Sequence, residues 1–181
     1  MLTITIPATE AFDEMKGEFI SVKEQTLQLE HSLISISKWE SKWCKAFLGK
    51  QEKTPEEILD YVKCMTLNPN VSDDVYHCLT PENVKEINDY IAAPMTATCF
   101  NEDKGGKSGR ETVTAELIYY WMISLQIPFD PCQKWHLNRL LTLVRVCNVK
   151  NAPPKKMSKR DIMSRNAKLN AARRQQFNSK G

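Results

Sequence analysis

Between Glu111 and Asn148 the chain reads ETVTAELIYYWMISLQIPFDPCQKWHLNRLLTLVRVCN, and no other stretch limits the fold as strongly. Val113, Leu117, Tyr120, Trp121 and Ser124 recur at helical spacing, while Ile118, Met122 and Leu125 widen the stripe until most of that helix is apolar. Such a helix is expected to be covered by protein. Ser108, three residues before Glu111, offers a capping box at its start, and Pro128 cannot continue it. A second helix is expected from Pro131 or Cys132, burying Trp135, Leu137, Leu140, Leu141, Val144 and Cys147 and leaving Arg139 and Arg145 at the rim. So short a connection predicts an antiparallel helical hairpin at the heart of the core.

At 181 residues with 41% hydrophobic content, the chain suits one folded domain with an appendage. Its net charge of +3 conceals an asymmetry. Residues 150–181 hold ten Lys and Arg against the single acid Asp161, so the tail carries +9 and the remaining residues carry −6. The boundary is therefore placed between residues 149 and 150, with a folded α+β domain over 1–149 and a basic, partly flexible extension over 150–181. The opening MLTITIPATEAFDE lacks the basic and apolar regions of a signal peptide, and no run approaches the length of a membrane span. No membrane association is expected, and the expected location is a cytoplasm. There the six scattered cysteines read as small core residues rather than a disulfide framework.

Taken in order, Leu2, Ile4 and Ile6 alternate with threonines up to Pro7, and Phe19–Val22 and Thr26–His31 alternate again. This pattern predicts a small antiparallel sheet of two or three strands. Ser37 and Glu40 fit a capping box for a helix that carries Trp39, Trp43 and Phe47 on one face and stops at Gly49. Thr54-Pro55 and Thr80-Pro81 each place a threonine cap before a proline at the first helical position. The helices that follow are expected to bury Ile58, Leu59, Val62 and Met65, and Val84, Ile87, Tyr90 and Ile91. LNPNVSDD between them reads as a surface loop, as does Pro94–Gly109. GGKS in that loop imitates a phosphate-binding turn, but Asn101 stands where the pattern needs glycine. After the linker 151–154, Ser158 and Asp161 cap a basic helix whose apolar residues are too sparse to bury alone.

Motifs for chemistry are scarce. The best metal-ligand spacings are Cys132 with His136 and the adjacent His77 and Cys78, and neither has the second close pair of a zinc site. His136 is expected instead to form hydrogen bonds at the edge of the core. No cysteine lies in a glycine-rich turn and no serine in an elbow motif, and the acids fall in helix first turns and loops. Neither an active site nor a cofactor is expected. Lys155, Lys156, Lys159, Arg160, Arg165, Arg173 and Arg174 could neutralise phosphates. No aromatic residue interleaves with them before Phe177 and the rest of the chain is acidic, so a solvated helix or one docked on an acidic protein is preferred to nucleic acid.

Three stretches carry a resemblance. TLQLEHSLISISKWESKW, ELIYYWMISLQIPF followed by QKWHLNRLLTLVRVCN, and MSKRDIMSRNAKLNAARRQQFNSKG resemble tail assembly chaperones of long-tailed, siphovirus-type bacteriophages and prophages, particularly of Gram-positive hosts. The resemblance implies a non-catalytic protein of the host cell cytoplasm that binds the tape measure protein, keeps it soluble, helps recruit tail tube subunits, and leaves before the virion is complete. A basic C-terminal extension is similar to the longer product that such genes often make by frameshifting. The family has no catalytic set to carry over. Client contacts are instead expected from the faces around Trp39, Trp43, Trp121 and Trp135 together with the basic tail. The alternatives are a head–tail connector or minor tail component, acting as a homo-oligomer, and a small nucleic-acid-binding protein that uses the tail. The expected architecture is α+β and predominantly helical, with a small N-terminal sheet, a central helical hairpin and a basic C-terminal helix.

Overall fold

Strand β1, Leu2–Ile6, pairs antiparallel with β4, Gln25–Leu29, and the alternation in sequence becomes alternation in burial. Ile4, Ile6, Leu27 and Leu29 face the core, while Thr3, Thr5, Thr26 and Gln28 face solvent. The computed structural model describes residues 1–13, 18–100, 112–153 and 158–178. Between β1 and β4 lie two further strands, β2 (Thr9–Asp13) and β3 (Glu18–Val22), paired with each other. The two ladders share one register. Continuing outward from Ile6 opposite Gln25 sets Pro7 against Glu24, Ala8 against Lys23 and Thr9 against Val22, where the β2–β3 pairing begins. The four strands thus form one long ribbon, interrupted where Pro7 has no N–H to give. The far edge of β4 is closed by residues 65–68. Glu30 donates its N–H to the Met65 carbonyl, Leu67 donates to Gln28, and the Asn68 amide serves both Gln28 and Thr26.

Helix α1 spans Leu33–Trp43 and starts earlier than the Ser37–Glu40 pattern predicts. Its cap is Ser32, whose hydroxyl accepts from the Ser35 N–H, because Leu33, Ile36 and Trp39 supply a stripe that reaches back that far. The helix ends at Cys44, which adopts the left-handed conformation at φ 51°. Gly49 is therefore not its stop. Gly49 instead closes a turn on the Ala46 carbonyl.

Helices α2 (Pro55–Met65) and α4 (Pro81–Ala92) start where the Thr-Pro pairs place them, each with a complete capping box, to Glu57 and to Asn83. Of the residues expected inward, Val62, Met65, Ile87 and Tyr90 are buried, and Ile58 and Val84 are not. In α2, Tyr61, Val62 and Met65 are buried and Ile58 is half exposed; in α4, Ile87 and Tyr90 are buried and Val84 is exposed. In α2 the Tyr61 ring takes the interior and Ile58 is left outside. Between them a short α3, Asp73–His77, replaces the end of the expected loop and buries Val75 and Tyr76.

Helix α5 is Ala115–Ser124, capped by Thr114, and it packs chiefly on α1, as α1 packs on α2. The expected Ser108–Glu111 capping box and the GGKS segment lie outside the described residues. Beyond Pro128 a single short turn, α6 (Phe129–Cys132), stands where the second long helix was expected, and α7 follows over Leu137–Asn151. Leu137, Leu140 and Val144 give α7 its buried stripe, whereas Trp135, Leu141 and Cys147 are only partly buried. The six cysteines are free, and they are less uniformly interior than expected: Cys132 is buried, Cys44 and Cys99 are exposed.

The chain divides into two compact units, Met1–Asn148 and Val149–Gly181. The second contains α8, Lys159–Phe177, with Ser158 accepting from the Asp161 N–H as its cap and Asn178 closing its C-terminus in the left-handed conformation. The architecture is α+β and predominantly helical. Among the described residues no helix is long and apolar enough to cross a membrane.

Candidate interaction surfaces

Of the four tryptophans expected at a client surface, the structure withdraws Trp39. It is 1% exposed and its indole N–H donates to the Glu57 carbonyl, so it joins α1 to α2 within the core. Trp43 is half-buried beside it, ring centroids 6.4 Å apart, and its indole donates to Asp60 Oδ2. Lys42 pairs with the other oxygen of Asp60, and Lys45 pairs with Glu57. The Lys45 ammonium and the Thr54 N–H hold the Glu57 carboxyl below its ordinary range. This α1–α2 seam is a structural joint between helices. Trp121 is half-buried on α5, and Trp135 lies under the Arg139 guanidinium, 4.2 Å from the ring centroid. Trp39 is therefore core, while Trp43, Trp121 and Trp135 each keep part of their ring in water.

Among the described residues, α5 leaves two neighbouring large apolar side chains in water, and the sequence reading missed it. Ala115, Ile118 and Met122 form a narrow buried stripe, with Ile118 and Met122 at 0% exposure. The opposite face carries Glu116, Tyr120, Ile123 and Ser124, and Tyr120 and Ile123 are 62% and 64% exposed. Tyr119 extends this surface toward α6, meeting exposed Phe129 edge-on at 5.2 Å while its hydroxyl donates to Gln133. The clue in the sequence was that most of α5 is apolar: such a helix is either wholly covered or presents an open face.

A second cluster joins polar groups from five parts of the chain. His31 and His136 meet edge to face, ring centroids 5.0 Å apart, and both are buried. His31 Nδ1 is hydrogen-bonded to the Tyr61 hydroxyl. His136 Nδ1 accepts the Asn138 N–H at the start of α7, which fixes the proton on Nε2, and that N–H donates to the Tyr90 carbonyl. Tyr90 in turn donates its hydroxyl to Glu30, whose other oxygen meets the Met1 amine at 2.9 Å. Burial, reinforced by the neighbouring His136, pushes His31 down to about 4. Burial also lowers His136, against the opposing pull of the Tyr90 carbonyl and Glu30. Both rings are therefore neutral near pH 7 and serve as hydrogen-bonding parts of the core. His136 is more interior than an edge residue, and with both nitrogens engaged it offers no lone pair to a metal. Among the described residues no three His, Cys, Asp or Glu side chains gather at metal-binding distance.

The basic candidates divide by position. Lys155 and Lys156 lie outside the described residues, whereas Lys159, Arg160, Arg165, Arg173 and Arg174 are all exposed on α8. No known protein family, curated protein or solved structure matches this chain.

Proposed function

We propose that this chain is a non-catalytic assembly chaperone that holds an amphipathic helical client against the open face of α5, serving the tape measure protein of a long-tailed phage in the host cell cytoplasm. The observation that carries the reading is the exposure of Tyr120 and Ile123 on a helix whose other face is fully packed. An aromatic and an aliphatic side chain one turn apart suit the apolar ridge of a partner helix, read at three- and four-residue spacing. The phage assignment rests on the sequence resemblance, and tail tube subunits would be recruited by the same complex.

Two measurements test it. The protein is expected to be abundant in an infected-cell lysate and missing from purified particles of the same culture; stoichiometric retention in particles refutes a transient chaperone and favours a connector or minor tail component. Co-purification of the tape measure protein should be lost in a Tyr120→Ser, Ile123→Ser double variant. That variant should keep the parent's unfolding midpoint, because both side chains are already largely in water.

A further inference from the structure

We infer that α8 is a duplex-DNA-binding helix, entering the major groove with one polar side and gripping phosphates with its flanks. The helix is nineteen residues long and has no buried residue. It carries Lys159, Arg160, Arg165, Lys168, Arg173 and Arg174 against one acid, Asp161. At helical spacing Asn166, Asn170 and Arg173 share one side, the interval being four and then three residues. Ile162, Met163 and Phe177 lie on that same side, beyond its two ends, and Leu169 lies at its edge. Arg160 and Arg174 fall on one flank of this side and Arg165 on the other.

Two readings compete for such a helix. One that docks on protein needs a continuous apolar stripe, and here the stripe is broken by two amides and a guanidinium. Those groups are instead the planar donors and acceptors that read base edges, asparagine on adenine and arginine on guanine. The flanking cations match the phosphate rows on either side of a groove. An α-helix with side chains, about 10–12 Å across, fits the B-DNA major groove, about 12 Å wide, whereas the major groove of an RNA duplex is too deep and narrow. This inference is independent of the client surface on α5.

The test is fluorescence anisotropy of the full chain with a labelled DNA duplex. If about four of the six cations neutralise phosphates, the logarithmic salt slope is about −3.6, and affinity falls on the order of 100-fold between about 50 and 200 mM salt. Replacing Arg160, Arg165, Arg173 and Arg174 by glutamine should abolish binding, with helicity checked by circular dichroism. The charge-preserving pair Asn166→Ala and Asn170→Ala should keep the salt slope and lose the preference among sequences in a randomised duplex pool. Absent binding at low salt, binding indifferent to the glutamine substitutions, or an unchanged sequence preference in the alanine pair each overturns the inference. So does equal competition by an RNA duplex or by polyglutamate, the latter pointing to an acidic protein partner.

Discussion

Glu40 offers the sharpest test of how the first unit is held together. It sits near the end of α1, is 7% exposed, and spends both carboxylate oxygens on backbone donors: the Phe47 N–H and the Ala115 N–H, each at 2.7 Å. The second is the first residue of α5, so a negative charge meets the positive end of that helix across seventy-five residues of chain. Hydrogen bonds to a charged group each contribute about 1.5–3 kcal/mol, and truncation leaves the Ala115 N–H buried with no acceptor. Glu40→Ala should therefore cost about 3–6 kcal/mol. Glutamine retains one acceptor oxygen and should cost roughly half of that. For a unit of this size each kcal/mol lowers the melting temperature by about 2–4 °C, so the alanine variant should melt roughly 6–24 °C below the parent. Urea unfolding followed through tryptophan fluorescence measures the loss, and hydrogen exchange at the Ala115 amide locates it. A cost under about 1 kcal/mol, or an Ala115 amide as protected in the alanine variant as in the parent, refutes the reasoning.

The neutral histidine core makes the protein acid-sensitive. Folded His31 takes up its proton near pH 4 and unfolded His31 near 6.5, so in that window the unfolded chain binds more protons. The stabilisation is complete above 6.5 and decreases by about 3 kcal/mol as the pH falls to about 4. Urea midpoints should drop more steeply over that range in the parent than in His31→Gln, and parallel curves would contradict this. Thr54→Ala removes the hydroxyl that accepts the Glu57 N–H and should cost about 1 kcal/mol by urea unfolding; no change would show that the α2 capping box is dispensable. Cys44→Gly relieves the left-handed residue that ends α1 and should raise stability by about 0.5–1 kcal/mol, with a loss of stability arguing against that conformation.

What the sequence disclosed was mainly local chemistry. Thr54-Pro55 and Thr80-Pro81 predicted two helix starts because a cap and a fixed proline φ act within one turn. Glu40 misled for the same reason: beside Ser37 it imitates a local capping box, while its true partner, Ala115, is distant in sequence. Strand β2 was missed because TEAFD has weak alternation, and its place follows from a register set at β1 and β4. The candidate surface was legible only in part. Composition marked most of α5 as apolar, but which of its residues face water depended on how distant parts of the chain pack on it. The meeting of His31 and His136 had no signal at all, since each depends on partners from other elements.

Residues Glu30–Ser32 impose an order on folding during synthesis. The ribbon and α1 can form once their own residues have left the ribosome. The Leu137 N–H that satisfies the His31 carbonyl, and the His136 ring that meets His31, belong to chain made about a hundred residues later. At translation rates of about 5–20 residues per second, that interval lasts roughly 5–20 s. Throughout it the His31 carbonyl lacks its Leu137 donor and the ring lacks its partner, so this junction cannot close before residues 136 and 137 have left the ribosome.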